Sequence, residues 1–135
     1  MKIIDGQNAI LGRLSSYVAK ELLKGEEIAV INCEKIIITG SRKDIQKKFQ
    51  ERRGRVGSSL KGPRHSKSNE RIVKRSIRGM LPDHRVGRGK IAYKRIKCYI
   101  GIPKEFENEK KIFAGKEKRA KFITIREVPN EKWKG

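Results

Sequence analysis

The feature that most constrains this fold is a switch between two apolar patterns within the first forty residues. Ile3-Ile4 and Ile28-Ala29-Val30-Ile31 are uninterrupted apolar runs, whereas Leu11, Leu14, Val18 and Leu22 between them are spaced 3, 4 and 4 apart. Short unbroken runs predict strands buried on both faces. The 3-4-4 spacing predicts an amphipathic helix over about residues 10–24, with Gly25 after Lys24 as its stop signal. Lys2-Ile3-Ile4 is therefore read as the first strand and Ile28–Ile31 as the second. Glu34-Lys35 interrupts the pattern, Ile36–Thr39 resumes it as a further strand, and Gly40 ends it. Ser41, followed three residues later by Asp44, predicts the N-terminus of a second helix over about residues 42–53. Ile45 and Phe49 are its only apolar positions, so most of its surface faces water or a partner. Strand and helix alternating in this order predict an α/β fold, a parallel sheet with covering helices.

Residues 54–69 carry Gly54, Gly57, Gly62, Pro63 and four serines, with no apolar period. They predict a long loop, fixed in place by a partner. Over residues 70–81 the helical period returns. Val73, Ile77 and Met80 share one face, while Arg71, Lys74, Arg75 and Arg78 share the other at i, i+3, i+4 and i+7. Pro82 ends that helix, and Asp83 to Gly89 forms a second loop containing Arg85 and Arg88. A short helix is predicted over about residues 90–96, and a strand over Lys97-Cys98-Tyr99-Ile100. Residues 104–121 read as a short helix and turns, Phe122–Ile125 as a late strand, and Trp133 stands near the C-terminus. At 135 residues the whole chain is expected to be one domain.

The 35 lysines and arginines against 15 acids give a net charge of +20, unevenly placed. Residues 1–41 are neutral, residues 42–97 carry +16 and residues 98–135 carry +4. A face that merely aids solubility intersperses its signs. The central segment has almost one sign, and it repels itself until a polyanion relieves it. Nucleic acid is the first candidate and an anionic membrane surface the second. The membrane reading needs Trp, Phe or Leu exposed opposite the cations, and the residues opposite Arg71 and Arg78 read as core. No apolar run is long enough to cross a bilayer, and Asp5 comes too early for a secretory signal. Cys33 and Cys98 are read as small buried hydrophobes in a reducing compartment, since neither has a neighbouring cysteine.

Catalysis needs converging reactive groups. The central acids Asp44, Glu51, Glu70 and Asp83 show no compact spacing for a shared metal. His65 and His84 offer an acid–base pair for a metal-free nuclease, or, within their arginine-rich loops, phosphate contacts. Gly57 to Gly62 begins a phosphate-loop spacing, but Pro63 stands where the lysine is required. No cofactor or small-molecule substrate is predicted. Phe49, Tyr93 and Tyr99 are too few for a single-strand stacking surface. No helix-turn-helix, zinc finger or basic zipper appears. The pattern points to the backbone of folded RNA. The predicted RNA contacts are Arg71, Lys74, Arg75 and Arg78 on the helix; Arg52, Arg53, Arg55, Lys61, Arg64, His65 and Lys67 around the loop; and His84, Arg85, Arg88, Lys90, Lys94 and Lys97 beyond it.

Several stretches together resemble a known family. They are Ile10-Leu11-Gly12-Arg13-Leu14-Ser15-Ser16 with Val30-Ile31-Asn32, then Arg78-Gly79-Met80-Leu81-Pro82, Gly87-Arg88-Gly89-Lys90, and Lys97-Cys98-Tyr99-Ile100-Gly101-Ile102-Pro103. In this order and register they are similar to the universal large-subunit ribosomal protein family numbered thirteen. The resemblance covers about residues 3–128, and the chain length and the Gly62-Pro63 loop resemble its archaeal and eukaryotic-cytosolic branch. Asp83 and the stretch 64–67 depart from the family pattern. The resemblance implies a three-layer α/β/α fold with a four-stranded, mainly parallel sheet and long basic loops. It also implies a non-catalytic role in the large subunit, in the cytoplasm. The partners implied are the large ribosomal RNA and neighbouring ribosomal proteins. Free in solution, the protein is expected to be monomeric. An RNA-binding regulator outside the ribosome would present the same surface.

Overall fold

The computed structural model describes residues 1–55, 57–116 and 120–129. In chain order its elements are β1 (Lys2–Asp5), α1 (Leu11–Leu23), β2 (Ile28–Ile31), β3 (Ile37–Thr39), α2 (Arg42–Gly54), α3 (Asn69–Met80), α4 (Gly87–Lys94), β4 (Ile96–Cys98), β5 (Lys111–Phe113) and β6 (Phe122–Thr124). The central sheet has four parallel strands in the order β4-β2-β1-β5. Ile4 sits between Val30 on one side and Ile112 on the other.

Side-chain alternation divides the strands between two cores. Ile4, Ile28, Val30 and Ile96 pack with Leu14, Val18 and Leu22 of α1 and with Val73 and Ile77 of α3. Ile3, Ala29 and Ile31 point the other way, against Phe106 and Tyr99. Every residue of β2 is buried, as its unbroken apolar run predicts. The three-layer α/β architecture is thus present, with one covering layer reduced to the 3-10 turn Lys104–Phe106. Ser15 of α1 meets Ser76 of α3 hydroxyl to hydroxyl at 3.1 Å, two small residues where the helices pack.

Several sequence expectations need correction. β3 lies outside the parallel sheet and pairs antiparallel with β6, Ile38 opposite Ile123. Both flanks of β2 are already taken, by β1 and β4. Asn32, in the left-handed region at φ 53°, opens a 3-10 turn that carries the chain away. Residues 104–121 contain a strand, β5, which fills the open flank of β1. α4 starts at Gly87 rather than residue 90, and β4 starts at Ile96 and ends at Cys98. The earlier start of α4 depends on Gly89, where a side-chain carbon would stand 2.4 Å from the Asp83 carbonyl oxygen. Met80, assigned to the apolar face, is 44% exposed because the helix ends there. Trp133 lies outside the described residues.

Candidate nucleic-acid interface

Because Val73 and Ile77 anchor α3 in the core, its opposite face is turned outward along the whole helix. Arg71 is exposed, and Lys74, Arg75 and Arg78 are half-buried. α2 supplies a second wall. It buries no residue, and one side-chain tie to the body is Gln46 Nε2 donating to the Glu127 carbonyl oxygen at 3.0 Å. Between them opens a groove of about 1180 Å3. Its cationic lining comprises Lys48 and Arg52 from α2, Arg64 from the loop, Arg71, Lys74, Arg75 and Arg78 from α3, and Lys97 from β4, and His65 of the loop joins them. Ile45, Phe49, Ile72 and Tyr99 add an apolar floor.

The loop between the two helices is fastened within the chain. Arg75 Nη1 donates to the Arg64 carbonyl oxygen at 3.1 Å, and Arg53 Nε donates to that of His65 at 3.3 Å. Two internal arginine ties thus reach this loop, in addition to any partner expected to fix it. At the start of α3 the Ser68 hydroxyl bonds Glu70 Oε1, while Oε2 is buried with no hydrogen-bond partner among the described residues. Glu70 is thus an acid with a spare acceptor in a cationic groove. His65 is held below the ordinary histidine pKa, first by burial and then by the charges of Arg75, Arg52, Arg55 and Arg78. It is neutral at pH 7.

The described ion pairs Lys2–Glu21, Lys24–Glu21 and Lys2–Glu26 belong to the neutral N-terminal third. Among the described residues no carboxylate lies within ion-pair distance of Arg71, Lys74, Arg75 or Arg78. The four cations of α3 are therefore turned to the groove rather than onto acids.

Of the residues singled out in the sequence, Arg52, Arg64, His65, Arg71, Lys74, Arg75, Arg78 and Lys97 line the groove. Arg53, Arg55, Lys61, Lys67, Arg85, Arg88, Lys90 and Lys94 lie outside that lining. So does His84, whose ring meets Tyr93 edge-on at 5.8 Å, with Lys74 Nζ 5.0 Å from the same Tyr93 ring. His65 and His84 thus do not share the groove as an acid–base pair. The sequence reasoning missed Lys48, although its near-uniformly polar helix was the available signal.

A family model described as Ribosomal protein L13 matches residues 1–105. The chain belongs to the ribosomal protein L13 family. Among L13 relatives, the large ribosomal subunit protein uL13 of Thermoplasma volcanium is 50% identical over 110 residues, covering 82% of this chain and 79% of that protein. That of Archaeoglobus fulgidus is 41% identical over 132 residues, covering 93% and 83%. That of Methanocaldococcus jannaschii is 41% identical over 131 residues, covering 95% and 94%. The L13 match takes in β1 through β4 and both walls of the groove.

Proposed function

We propose that this chain is a structural constituent of the large ribosomal subunit that grips the large ribosomal RNA by its phosphates and supports subunit assembly. Family membership supports the ribosomal role, and the L13 family is a structural component rather than an enzyme. The observation that carries the RNA reading is the groove of about 1180 Å3 between α2 and α3, whose lining gathers cations that have no acidic partner within ion-pair distance among the described residues. Arg71, Lys74, Arg75 and Arg78 hold phosphates from a rigid helix. Arg52, Arg64, His65 and Lys97 hold them from the walls, joined by Lys48. Arg53, Arg55, Lys61 and Lys67 reach RNA around the loop, and His84, Arg85, Arg88, Lys90 and Lys94 extend the contact past α4.

In this reading residues 1–135 act as one ribosomal-protein domain, monomeric until it docks, in the cytoplasm. It meets neighbouring ribosomal proteins and needs no cofactor. The test is co-sedimentation with large subunits at high salt, using the parent chain and a variant with Arg71→Glu and Arg78→Glu. The parent is expected to stay on the particle and the double variant to be lost from it. A double variant that remains bound overturns the groove assignment. A parent chain that never sediments with subunits overturns the ribosomal role.

A further inference from the structure

A second cleft, of about 420 Å3, opens at the carboxyl ends of β1 and β5. These strands are neighbours, yet the chain leaves β1 toward β2 and β4 and returns to the other flank of β1 only as β5. The sheet therefore reverses its winding between them, and crevices at such reversals are where open parallel sheets hold ligands. The loops that follow the two strands close tightly on each other. A side-chain carbon at Gly115 would stand 1.9 Å from the Gln7 carbonyl oxygen.

The lining combines aromatic surface with positive charge. Phe113 is 75% exposed and Tyr17 41% exposed, and both face the cleft along with Ile112. Arg13 and Lys116 are its charged members, with no acid among the described lining residues. Phe113, Tyr17 and Ile112 together leave apolar surface exposed at one cleft, which is the kind of grouping that marks a contact surface. The charge selects the occupant. A basic ribosomal protein would be repelled by Arg13, Lys116 and the net +20 of the chain. A nucleotide brings a flat base for the rings and a phosphate for the cations. No residue lining this cleft also lines the groove between α2 and α3.

We propose that the cleft receives one unpaired nucleotide of the large-subunit RNA, its base stacked on Phe113 and Tyr17 and its phosphate held by Arg13 and Lys116. This rests on the reading that the chain is seated on that RNA. It adds a stacking contact at the sheet end to the phosphate contacts of the groove.

The experiment places the photo-crosslinker p-benzoylphenylalanine at position 113 in one full-length protein and at position 48 in another, each assembled into large subunits and irradiated. Label at position 113 on ribosomal RNA is the expected result. Label on a ribosomal protein, or no label while position 48 marks RNA, overturns the proposal and leaves the groove reading standing. No RNA label at either position overturns both. In parallel, Phe113→Ala is expected to weaken binding of large-subunit RNA roughly tenfold, and Phe113→Trp to retain it. Unchanged melting temperatures show that the fold is intact. An alanine variant that binds as tightly as the parent rejects the stacking contact.

Discussion

Arg75 of α3 reaches across to the main chain of Arg64, donating from Nη1 to its carbonyl oxygen at 3.1 Å. One guanidinium thereby places a charge in the groove and pins the loop that forms the groove's rim. Arg75→Glu removes both effects. It is expected to weaken binding of large-subunit RNA more than tenfold while shifting the melting temperature by no more than a few degrees, as for surface substitutions generally. Filter binding and a thermal melt check this. A variant that fails to fold would place Arg75 in the core and reject the assigned phase of α3.

RNA binding through the proposed interface is expected to depend on pH through His65. In the free protein, burial and the surrounding guanidinium groups hold its pKa below the usual value. Phosphate oxygens in the groove would offset those charges and raise it, so the complex takes up a proton. Affinity is then expected to rise as pH falls through the window between the pKa of the complex and that of the free protein, and to level off below it. His65→Gln should flatten that dependence in titrations at constant ionic strength. The sign reverses for folding. The unfolded chain binds the proton more readily, so this group's contribution to stability grows as pH rises through the ordinary histidine range.

Glu21 is expected to contribute to acid stability through its pairing with Lys2 and Lys24. Its carboxylate bonds the ammonium groups of Lys2 and Lys24, which pull its pKa from 4.5 to about 2. That contribution is complete above pH 4.5 and disappears as pH falls toward 2. Glu21→Gln is expected to melt below the parent at neutral pH and to converge with it in acid. Parallel melting curves across the whole range would show that the pair contributes nothing.

α3 provides a paired test of packing. Ile77 is fully buried, whereas Met80, on the same helical face, is 44% exposed. Ile77→Ala should cost about 2–5 kcal/mol and Met80→Ala well under half of that. Denaturant unfolding measures both. Equal losses would mean that the last turn of α3 is as buried as its centre.

Salt titration separates phosphate contacts from other contacts. Each one releases close to one counterion, so Arg71→Ala and Arg78→Ala should each reduce the slope of log K against log salt by about 1. A slope unchanged in both variants would remove these residues from the interface.

The sequence made some elements readable and concealed others. β2 and α1 were legible because one pattern is an unbroken apolar run bounded by polar residues and the other repeats at 3-4-4 over more than three turns. α3 was legible for the same reason, and with it Arg71, Lys74, Arg75 and Arg78. β5 was hidden because two apolar residues, Ile112 and Phe113, sit among charges and carry no period. What makes them a strand is the vacant flank of β1, more than a hundred residues away in the chain. The pairing of β3 with β6 was equally hidden, since local composition does not encode a strand's partner. Gly87 and Gly89 argued against a helix by propensity, yet Gly89 is needed for the helix to approach the Pro82-Asp83 backbone. Lys48 escaped because α2 has no apolar stripe against which to set a phase.

That absence of a buried face on α2 has a consequence for how variation in this chain is read. Replacements along most of its length leave no cavity and break no hydrophobic contact, so a screen scored on yield, solubility or heat resistance would pass them all. Only particle assembly registers the damage. A defective allele in this helix would look healthy as purified material and show its fault as precursor particles that fail to mature.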